Sequence, residues 1–419
     1  MDNRKSLSGF ERFAPWLIFP LGVYFFIFGS WLFSFTSPDE GRNASATLQM
    51  LKSQNFIEPY YNCLPRFEKP PMLYWSANLL ALIFGLNEFS ARLVSGLSAI
   101  GIAFLTFSIG KILVERESAL KGALILLTIP HMWIEARAFV PEMLNTLFIL
   151  LGIYLWLLNK VVLGWGALGL AMLTKGPVGP FLAIGIYLIL KKDLRIFNRV
   201  GIFIFLLVSL WWYAAMFYSF GFEYIYRFFF FENIMRFTGA REVHPAPIYY
   251  YLVVIAIAFA WFLPALKSFK GPKKGLFSLS LWTIFVVGFF TLAQNRLHHY
   301  VLPAYPAVAL IFGLFVSWGY IKRVLVLSGL FLAFILLILP KVERERFTQL
   351  VKESLAGEAS EVYFYKAENS ALVFYLGRCI KNTDVPSGLV ITKSKELSQK
   401  CKLRLSGREF DGVYYLFEC

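Results

Sequence analysis

The feature that most limits how this chain can fold is a series of long apolar runs separated by short charged loops. About eleven runs approach the length that crosses a bilayer when a window of about 19 residues is used. They lie near residues 15–35, 92–113, 119–135, 143–158, 162–174, 177–190, 200–219, 248–266, 276–293, 299–317 and 324–340. The fifth and sixth are short enough to form a broken pair. Because a spanning backbone must satisfy its own hydrogen bonds, the pattern predicts an all-α polytopic membrane protein with about 11–13 transmembrane helices.

The composition excludes an ordinary soluble domain. Of the 419 residues, 58% are hydrophobic, and the mean hydropathy is +0.61. Such values are typical of polytopic membrane proteins. The formal net charge of +15 would suit a nucleic-acid partner. However, the basic residues cluster in short loops between apolar runs, as the positive-inside rule requires, so we expect membrane lipids and no nucleic acid as partners.

Basic residues fall on every second loop and define one face of the protein. These loops contain Lys111, Arg116, Lys160, residues 191–199, residues 267–274, Lys322 and Arg323. The excess of Lys and Arg predicts that this face is cytoplasmic in the cell inner (plasma) membrane.

The opposite face then collects the other conspicuous polar residues. They are Asp39, Glu40, Arg42, Glu68, Lys69, Glu135, Arg137, Glu142, Lys175, Glu232, Asn233, Arg236, Arg241, His244, Arg296, His298 and His299. Carboxylates, cations and histidines at the hydrocarbon boundary are rare without a function. We therefore expect an active site that faces the periplasm.

The first loop of this face, about residues 36–91, has the densest polar sequence. Within it, residues 40–51 and 71–82 have helical spacing but are too short or too mixed to span comfortably. Trp and Tyr in the second stretch are favoured at the membrane interface. We expect two juxtamembrane helices joined by a proline-containing loop.

Two residues of this loop carry the strongest chemical hypothesis. Asp39 next to Arg42 is compatible with a simple ion pair, but it shares its face with several cations beside an apolar cleft, which suits a phosphate on a lipid tail. Asp39 would then be a general base or would orient the acceptor. Lys69 precedes two prolines that restrict its position, as a phosphate contact needs; the alternative is a lysine that snorkels to the headgroups.

The other polar residues each have a structural alternative. A lysine between two apolar helices, Lys175, needs a partner or a ligand. Glu142 is either a second catalytic carboxylate or a helix-start acid paired with Arg137. Glu232 and Arg236 have the spacing of a helix ion pair. His244 is a candidate metal ligand, and so are His298 and His299, for which interfacial hydrogen bonding is the favoured alternative; none of the three has a metal-ligand spacing pattern.

The last ~80 residues carry charges of both signs and no longer span. Residues 361–365, 388–392 and 412–419 are typical of short strands. Residues 370–378 and 394–401 are predicted as short helices. We expect a small extracytoplasmic α/β domain at 341–419 after a transmembrane domain at 1–340. In it, Cys379 and Cys401 either form a disulfide or remain free thiols.

Several blocks, in order along the chain, resemble a known family. The blocks are SPDEGRNA, FEKPPMLYW, GLNEFSARL, LTKGPVG, FFFENIMRF…H..P..YYY and QNRLHHYVLPAYPA. They are similar to the bacterial 4-amino-4-deoxy-L-arabinose (lipid A) transferases, which are related to the protein O-mannosyltransferases within the GT-C glycosyltransferases. The resemblance covers roughly residues 15–340. It implies transfer of a monosaccharide from a polyprenyl-phosphate donor on the periplasmic face to a lipid or protein acceptor.

The resemblance also assigns roles to residues of this chain. Asp39 matches the essential acid of the first loop, with Glu40 and Arg42 beside it, and Glu142 falls where relatives often carry Asp. The residues that would hold the donor phosphate are Lys69, Arg236 or Arg241, Arg296 and Tyr300. The other predicted substrate-binding residues are Glu68, Tyr74, Lys175, Glu232 and Asn233. Glu68 and His244 match polar positions that offer ligands to a divalent metal ion, although the reaction itself requires no cofactor.

These inferences predict an inverting, lipid-phosphate-dependent glycosyltransferase. Its sugar would be aminoarabinose-like or a hexose, and its acceptor would be lipid A or another envelope glycolipid. Glycosylation of a protein is the alternative within the same chemistry. A transporter of lipid-linked sugars is the non-enzyme alternative, but such proteins place charges near the bilayer midplane and show internal repeats, and no repeat is visible here.

Overall fold

The computed structural model describes residues 9–240, 245–358 and 360–419, with side chains from Pro15 onward. Most of these residues are helical. The helices are α1 (Gly9–Gly22), α2 (Asp39–Ser53), α3 (Met72–Phe84), α4 (Glu88–Leu113), α5 (Arg116–Leu127), α6 (Pro130–Ala136), α7 (Pro141–Leu157), α8 (Val161–Lys175), α9 (Val178–Lys191), α10 (Arg199–Ile225), α11 (Arg236–Thr238), α12 (Tyr250–Ala258), α13 (Leu276–Leu292), α14 (Tyr305–Phe315), α15 (Trp318–Arg344), α16 (Phe347–Ser354) and α17 (Ser370–Tyr375).

Tighter or wider helical turns extend several of these helices. Wider π-type turns continue α1 over Val23–Ile27 and α10 over Tyr226–Met235, and 3₁₀ turns cover Leu194–Ile196, Ala260–Ser268, His298–Ala304 and Glu396–Gln399. Among the described residues, four continuous helical stretches are long and apolar enough to cross a membrane, or up to six if two bent helix pairs each count as one span. Shorter apolar helices accompany them, so the chain is a multi-pass helical membrane protein.

The sequence-based positions of the helices are confirmed. Each predicted apolar run overlaps a described helix or bent helix pair, and the short fifth and sixth runs are two separate helices, α8 and α9. Helix α8 ends at Gly176, whose φ of +76° suits glycine and reverses the chain before Pro177. The two predicted juxtamembrane helices correspond to α2 and α3. Asn87 caps α4 through a reciprocal pair of hydrogen bonds with Ser90.

The main core lies where α4, α5, α7, α8 and α14 pack against one another. Close approach of α5 and α14 depends on Gly313, because a Cβ there would lie 2.4 Å from the carbonyl oxygen of Ser118. Small residues at such contacts allow helix backbones to approach closely in a membrane. These helices form a rigid support for the polar loops at their ends.

The C-terminal segment forms a five-stranded sheet. Its strands are β3 (Val362–Phe364), β4 (Lys381–Asn382), β5 (Leu389–Thr392), β6 (Lys402–Glu409) and β7 (Gly412–Glu418), and a small hairpin in the first loop pairs β1 (Tyr60–Tyr61) with β2 (Leu64–Pro65). The order in the sheet is β4-β3-β5-β7-β6; β3 is parallel to both β4 and β5, and the other pairs are antiparallel.

This architecture confirms the α/β character of the C-terminal segment but corrects some elements. The three predicted strands are present, whereas residues 394–401 form only a short 3₁₀ turn. Strand β6 was not predicted because its sequence, KLRLSGRE, is charged and mostly exposed at the sheet edge. Helix α15 continues through Pro340 to Arg344, so it crosses the predicted boundary at residue 340.

Both alternatives for Cys379 and Cys401 are wrong, because each of these cysteines is bonded to another partner. Cys63 bonds to Cys379, and Cys401 bonds to Cys419. The first bond joins residues that are 316 positions apart and ties the C-terminal segment to the first loop. Sequence spacing could not show this pairing, because folding alone brings the two segments together.

The C-terminal segment also packs directly on α2. Ser370 Oγ donates a hydrogen bond to the carbonyl oxygen of Pro38 (2.7 Å), and a Cβ on Gly41 would lie 2.3 Å from the backbone nitrogen of Ala371. The Tyr375 hydroxyl accepts a hydrogen bond from the Phe35 backbone N–H (2.7 Å). These contacts hold the start of α2, which carries Asp39, against the C-terminal segment.

Candidate active site

Two cavities meet beside the N-terminus of α7. The first has a volume of about 440 Å³ and is lined mainly by apolar side chains, among them Val178, Phe181, Phe228, Phe237, Phe289 and Phe290. The second has a volume of about 480 Å³ and is lined by polar residues, including Asp39, Arg42 and Asn43. We call them the apolar and the polar cavity.

Six residues line both cavities, and we call this set the shared wall. They are Lys69, Glu142, Arg236, Asn295, His299 and Tyr300. They come from the first loop, from α7 and α11, and from the segment before α14. The tertiary structure therefore brings together polar residues that are spread over more than half of the chain.

Glu142 is the centre of the charge network in the shared wall. Its Oε1 lies 2.9 Å from Lys175 Nζ and 3.4 Å from His299 Nε2. The Lys175 ammonium also lies 4.6 Å from the centre of the Tyr300 ring. A lysine this well buried needs a counter-charge, and Glu142 supplies it. The predicted alternative partner of Glu142, Arg137, instead donates hydrogen bonds to backbone carbonyls of Tyr24, Phe25 and Phe28.

Lys69 has a different environment. Its ammonium lines both cavities and forms no hydrogen bond or ion pair with another residue in the described part of the chain. Burial lowers the pKa of Lys69 below its ordinary value, an effect that the nearby Glu142 carboxylate partly opposes. A cation in this position is available to an anionic ligand.

Asp39 and Glu40 are neighbours at the start of α2 but point in different directions. Asp39 is exposed and lines the polar cavity, and its carboxylate has no hydrogen-bond partner among the described residues. Glu40 is buried and does not line either cavity. It accepts two hydrogen bonds from Arg92, at 2.8 and 2.9 Å, and one from the Phe139 backbone N–H at 2.7 Å.

Arg42 lines the polar cavity and connects it to the C-terminal segment. Its guanidinium lies 3.4 Å from Glu368, not next to Asp39. The Tyr61 hydroxyl donates a hydrogen bond to the same carboxylate. The ion pair that was considered for Asp39 and Arg42 is therefore replaced by a pair between Arg42 and Glu368.

The segment after α10 contributes three of the predicted residues. Glu232, Asn233 and Arg236 line the apolar cavity, and Glu232 and Arg236 form the predicted ion pair at 3.0 Å. The Asn233 side chain donates a hydrogen bond to the carbonyl oxygen of Phe228 (2.6 Å). Arg236 reaches both cavities, so its charge is available to a ligand in either one.

The remaining predicted residues are less central. Glu68 lines the apolar cavity and pairs with Arg66 at 3.2 Å. Tyr74 is fully buried in a core cluster. Arg296 donates to the backbone carbonyls of Thr291 and Ala246, so its donors contact the chain itself. Arg241 and His244 lie outside the described residues. The predicted metal pair of Glu68 and His244 therefore stays a prediction.

Two residues of the shared wall were not among the predicted site residues. Asn295 is nearly fully buried, and His299 was interpreted as an interfacial hydrogen-bonding residue. The sequence NRLHHYVLP carries a usable signal, because five polar residues among the first six would be costly at the start of an apolar helix without partners.

The arrangement can hold an amphiphilic anion. An apolar tail fits among the aromatic side chains of the first cavity, while Lys69, Arg236 and Tyr300 offer donors where that cavity meets the polar one. Asp39 lies on the polar side, where a second, polar reactant has access. Such a site suits group transfer from a lipid carrier to a polar acceptor.

Sequence comparison finds proteins that are similar to this chain. A model described as dolichyl-phosphate-mannose-protein mannosyltransferase matches residues 68–218. An uncharacterized protein of Aquifex aeolicus (strain VF5) is 47% identical over 96% of this chain and 98% of its own length. The undecaprenyl phosphate-alpha-4-amino-4-deoxy-L-arabinose arabinosyl transferase of Pectobacterium carotovorum is 30% identical over 76% of this chain; the match spans 60% of that longer relative.

Solved structures share the fold. The crystal structure of ArnT from Cupriavidus metallidurans, bound to undecaprenyl phosphate, superposes with a TM-score of 0.81 and 18% identity, covering 96% of this chain and 97% of ArnT. The Archaeoglobus fulgidus oligosaccharyltransferase gives a TM-score of 0.53 at 11% identity, over 89% of this chain and 64% of that protein.

The chain is therefore a multi-pass helical membrane protein with the fold of ArnT. In sequence, the chain is similar to the undecaprenyl phosphate-aminoarabinose arabinosyl transferases and, over residues 68–218, to the mannosyltransferase model.

Proposed function

We propose that this protein transfers a monosaccharide from a polyprenyl-phosphate donor to a lipid A-type acceptor at the periplasmic face of the inner membrane. The observation that carries the proposal is that the apolar cavity and the polar cavity share the wall of cations and donors. The name of the Pectobacterium relative and the ligand of the Cupriavidus structure support the donor class. The sugar is an aminoarabinose-like pentose or a hexose.

The donor binds with its prenyl tail in the apolar cavity and its phosphate at the shared wall. Lys69 is the first phosphate ligand, because it is the wall lysine whose charge is not already neutralised by a neighbour in the described chain. Arg236 and the Tyr300 hydroxyl supply further donors. Lys175 lines only the apolar cavity and adds positive charge near the shared wall, although its ammonium remains paired with Glu142 at 2.9 Å.

The bond exchange is an inverting displacement at the anomeric carbon. The bond between this carbon and the phosphate oxygen breaks, a bond to the acceptor oxygen forms on the opposite face, and polyprenyl phosphate leaves with the electron pair. Negative charge grows on the departing phosphate, so fixed cations beside it stabilise the transition state more than the ground state. Because the leaving group is already a stable anion, the exchange itself needs no cofactor.

Asp39 acts on the acceptor from the polar cavity. For a hydroxyl acceptor it takes the proton as the new bond forms. For a phosphate acceptor, as on lipid A, no proton has to be removed, and Asp39 orients the acceptor. Glu142 holds Lys175 and His299 in place and keeps the wall from becoming excessively positive.

The periplasmic orientation rests on two features. The loops that carry the site alternate with loops rich in Lys and Arg, which favour the cytoplasm. The disulfides Cys63–Cys379 and Cys401–Cys419 lie in the first loop and the C-terminal segment, and disulfides persist in oxidising compartments.

Glycosylation of a protein is the second candidate, favoured by the description of the matching family model. The donor chemistry would be the same. The two candidates differ in where a labelled sugar ends, in glycolipid or in protein.

The test uses purified protein and a panel of polyprenyl-phosphate monosaccharides, with lipid A or an envelope extract as acceptor. We expect acceptor-dependent release of polyprenyl phosphate that is lost in Asp39→Asn. The matched control is Asp193→Asn, which changes an aspartate that pairs with Arg195 outside both cavities. Tight donor binding without turnover on any acceptor would contradict the proposal and favour a transporter.

A further inference from the structure

A compact group of three ligand-type side chains lies next to the active site but outside both cavities. His131 and Glu135 are one helical turn apart on α6, and His298 begins the turn that leads into α14. His131 Nε2 lies 2.8 Å from His298 Nδ1 and 3.5 Å from Glu135 Oε1. His298 Nδ1 lies 3.3 Å from the same carboxylate oxygen. The three atoms form a triangle in which every corner can donate an electron pair.

The dimensions of this triangle fit a tetrahedral metal ion. In a regular tetrahedral zinc site with bonds of about 2.0–2.1 Å, two ligand atoms are about 3.3 Å apart. An ion at that bond length from all three atoms would lie about 0.7–1.0 Å above their plane, and a regular site requires about 0.7 Å. The separations between the three atoms therefore allow three bonds of this length.

The charges around Glu135 also point to a cation. Its side chain is only 4% exposed, yet in the described chain its ion-pair contacts are all with histidines: His131, His298 and, at 3.9 Å, His299. A buried carboxylate without Lys or Arg as a partner is costly unless a cation neutralises it. A divalent ion supplies that charge while the histidines remain neutral.

A further contact orients one of the ligands. His131 Nδ1 lies 2.6 Å from the hydroxyl of Tyr305, which is fully buried. When this nitrogen carries the proton and donates to the Tyr305 oxygen, the lone pair of Nε2 faces the triangle. Metal-binding histidines usually have such an outer partner, which fixes the tautomer and the ring orientation.

We propose that His131, Glu135 and His298 bind a divalent transition-metal ion, with Zn²⁺ as the ion that two imidazoles and one carboxylate suit best. The fourth position is left for water or another ligand, and His298, whose side chain is half exposed, gives access to it. This site is separate from the pair of Glu68 and His244 considered from the sequence.

The ion ties α6 to the turn His298–Ala304. That turn carries His299 and Tyr300, two members of the shared wall, and His299 Nε2 contacts Glu142 at 3.4 Å. The metal therefore has a positioning role: it holds the wall in place and takes no part in the exchange of bonds.

The test measures the metal directly and does not depend on the glycosyl-transfer activity. The full chain is purified through an affinity tag without histidines, incubated with Zn²⁺ or Co²⁺, and desalted. We expect about one tightly held Zn²⁺ per chain by elemental analysis, and with Co²⁺ the intense visible absorption of a tetrahedral site. The double variant His131→Ala, His298→Ala is expected to lose both signals.

Two further variants separate a metal site from a hydrogen-bonded cluster. Tyr305→Phe keeps the ring but removes the outer hydrogen bond, and we expect metal affinity to fall about 10–100-fold. Glu68→Gln serves as the matched control and should retain the metal. Each variant is first checked for a single gel-filtration peak and for the circular-dichroism spectrum of the wild-type protein, so that misfolding is recognised.

Failure of the folded wild-type chain to retain Zn²⁺ or Co²⁺ would overturn the proposal. Retention that survives the double histidine change, or that is lost in Glu68→Gln, would overturn it as well, because the ion would then lie elsewhere.

Discussion

The apolar and the polar cavity are of similar size, about 440 and 480 Å³, but differ in what lines them. Aromatic and aliphatic side chains form most of the surface of the first, which suits a lipid chain because apolar surface can be buried there. Charged and amide side chains surround the second, where a hydrated reactant keeps polar partners. In the proposed reaction, the apolar cavity would hold the lipid carrier and the polar cavity would present the acceptor, with the reacting bond at the shared wall between them.

The largest effect is expected for a change in the polar cavity alone. Asp39→Asn keeps the size of the side chain but removes a base, so turnover should fall about 10²–10⁴-fold for a hydroxyl acceptor. The dissociation constant for undecaprenyl phosphate should not change, because Asp39 does not line the apolar cavity. Turnover is measured as release of polyprenyl phosphate, with Asp193→Asn as control. Wild-type turnover in Asp39→Asn would contradict the proposal that Asp39 acts on the acceptor from the polar cavity.

The next effect is expected at the wall. Lys69→Gln removes a cation that has no ion-pair partner in the described chain, and the affinity for undecaprenyl phosphate should fall about 10–100-fold. Binding is measured in detergent with labelled undecaprenyl phosphate. The control is Lys191→Gln at the far end of α9. Equal affinity in Lys69→Gln and wild type would show that Lys69 does not contact the phosphate.

A smaller effect is expected from filling the apolar cavity. Val178→Trp places a large ring in the space among the aromatic side chains, and the affinity for undecaprenyl phosphate should fall on the order of tenfold. Affinity for a short geranyl phosphate should change less, since its tail needs less of the cavity. Leu163→Trp, at a position that is 59% exposed, is the control. An equal loss for both chain lengths would mean that the tail follows another path.

The smallest effect concerns pH. Because burial lowers the pKa of Lys69, this residue should lose its proton at a lower pH than an ordinary lysine, whose pKa is about 10.4. Affinity for undecaprenyl phosphate should therefore be constant between the second pKa of the phosphate, about 6, and the onset of Lys69 titration. It should be about twofold weaker where the pH equals the lowered pKa of Lys69, because half of the Lys69 side chains are then neutral. Lys69→Arg should remove this alkaline decrease, since arginine stays charged. The same decrease in Lys69→Arg would assign the titration to another group.

The sequence predicted which residues belong to the candidate site better than it predicted the contacts of their side chains. Asp39, Lys69, Glu142, Arg236 and Tyr300 were all named from the sequence, and the structure places each of them in a cavity wall. They were recognisable because a charged side chain at the membrane boundary is energetically costly and is therefore rare without a function.

The orientation of neighbouring side chains could not be predicted from the sequence. Asp39 and Glu40 have the same chemistry, but successive residues of a helix point about 100° apart. One side chain therefore faces the polar cavity and the other is buried against Arg92. Similarly, the resemblance assigned Arg296 to the donor phosphate, but its donors contact the backbone carbonyls of Thr291 and Ala246. Only coordinates distinguish these cases.

By itself, the sequence determined that this chain is a multi-pass helical membrane protein with its charged residues gathered at helix ends, because spanning length and hydrophobicity are local properties. The tertiary structure decided which of those charges meet. Glu142 and Lys175 pair across 33 positions, Cys63 and Cys379 across 316, and His131 meets His298 across 167. Such contacts depend on how the helices pack together, and no local pattern of residues encodes them.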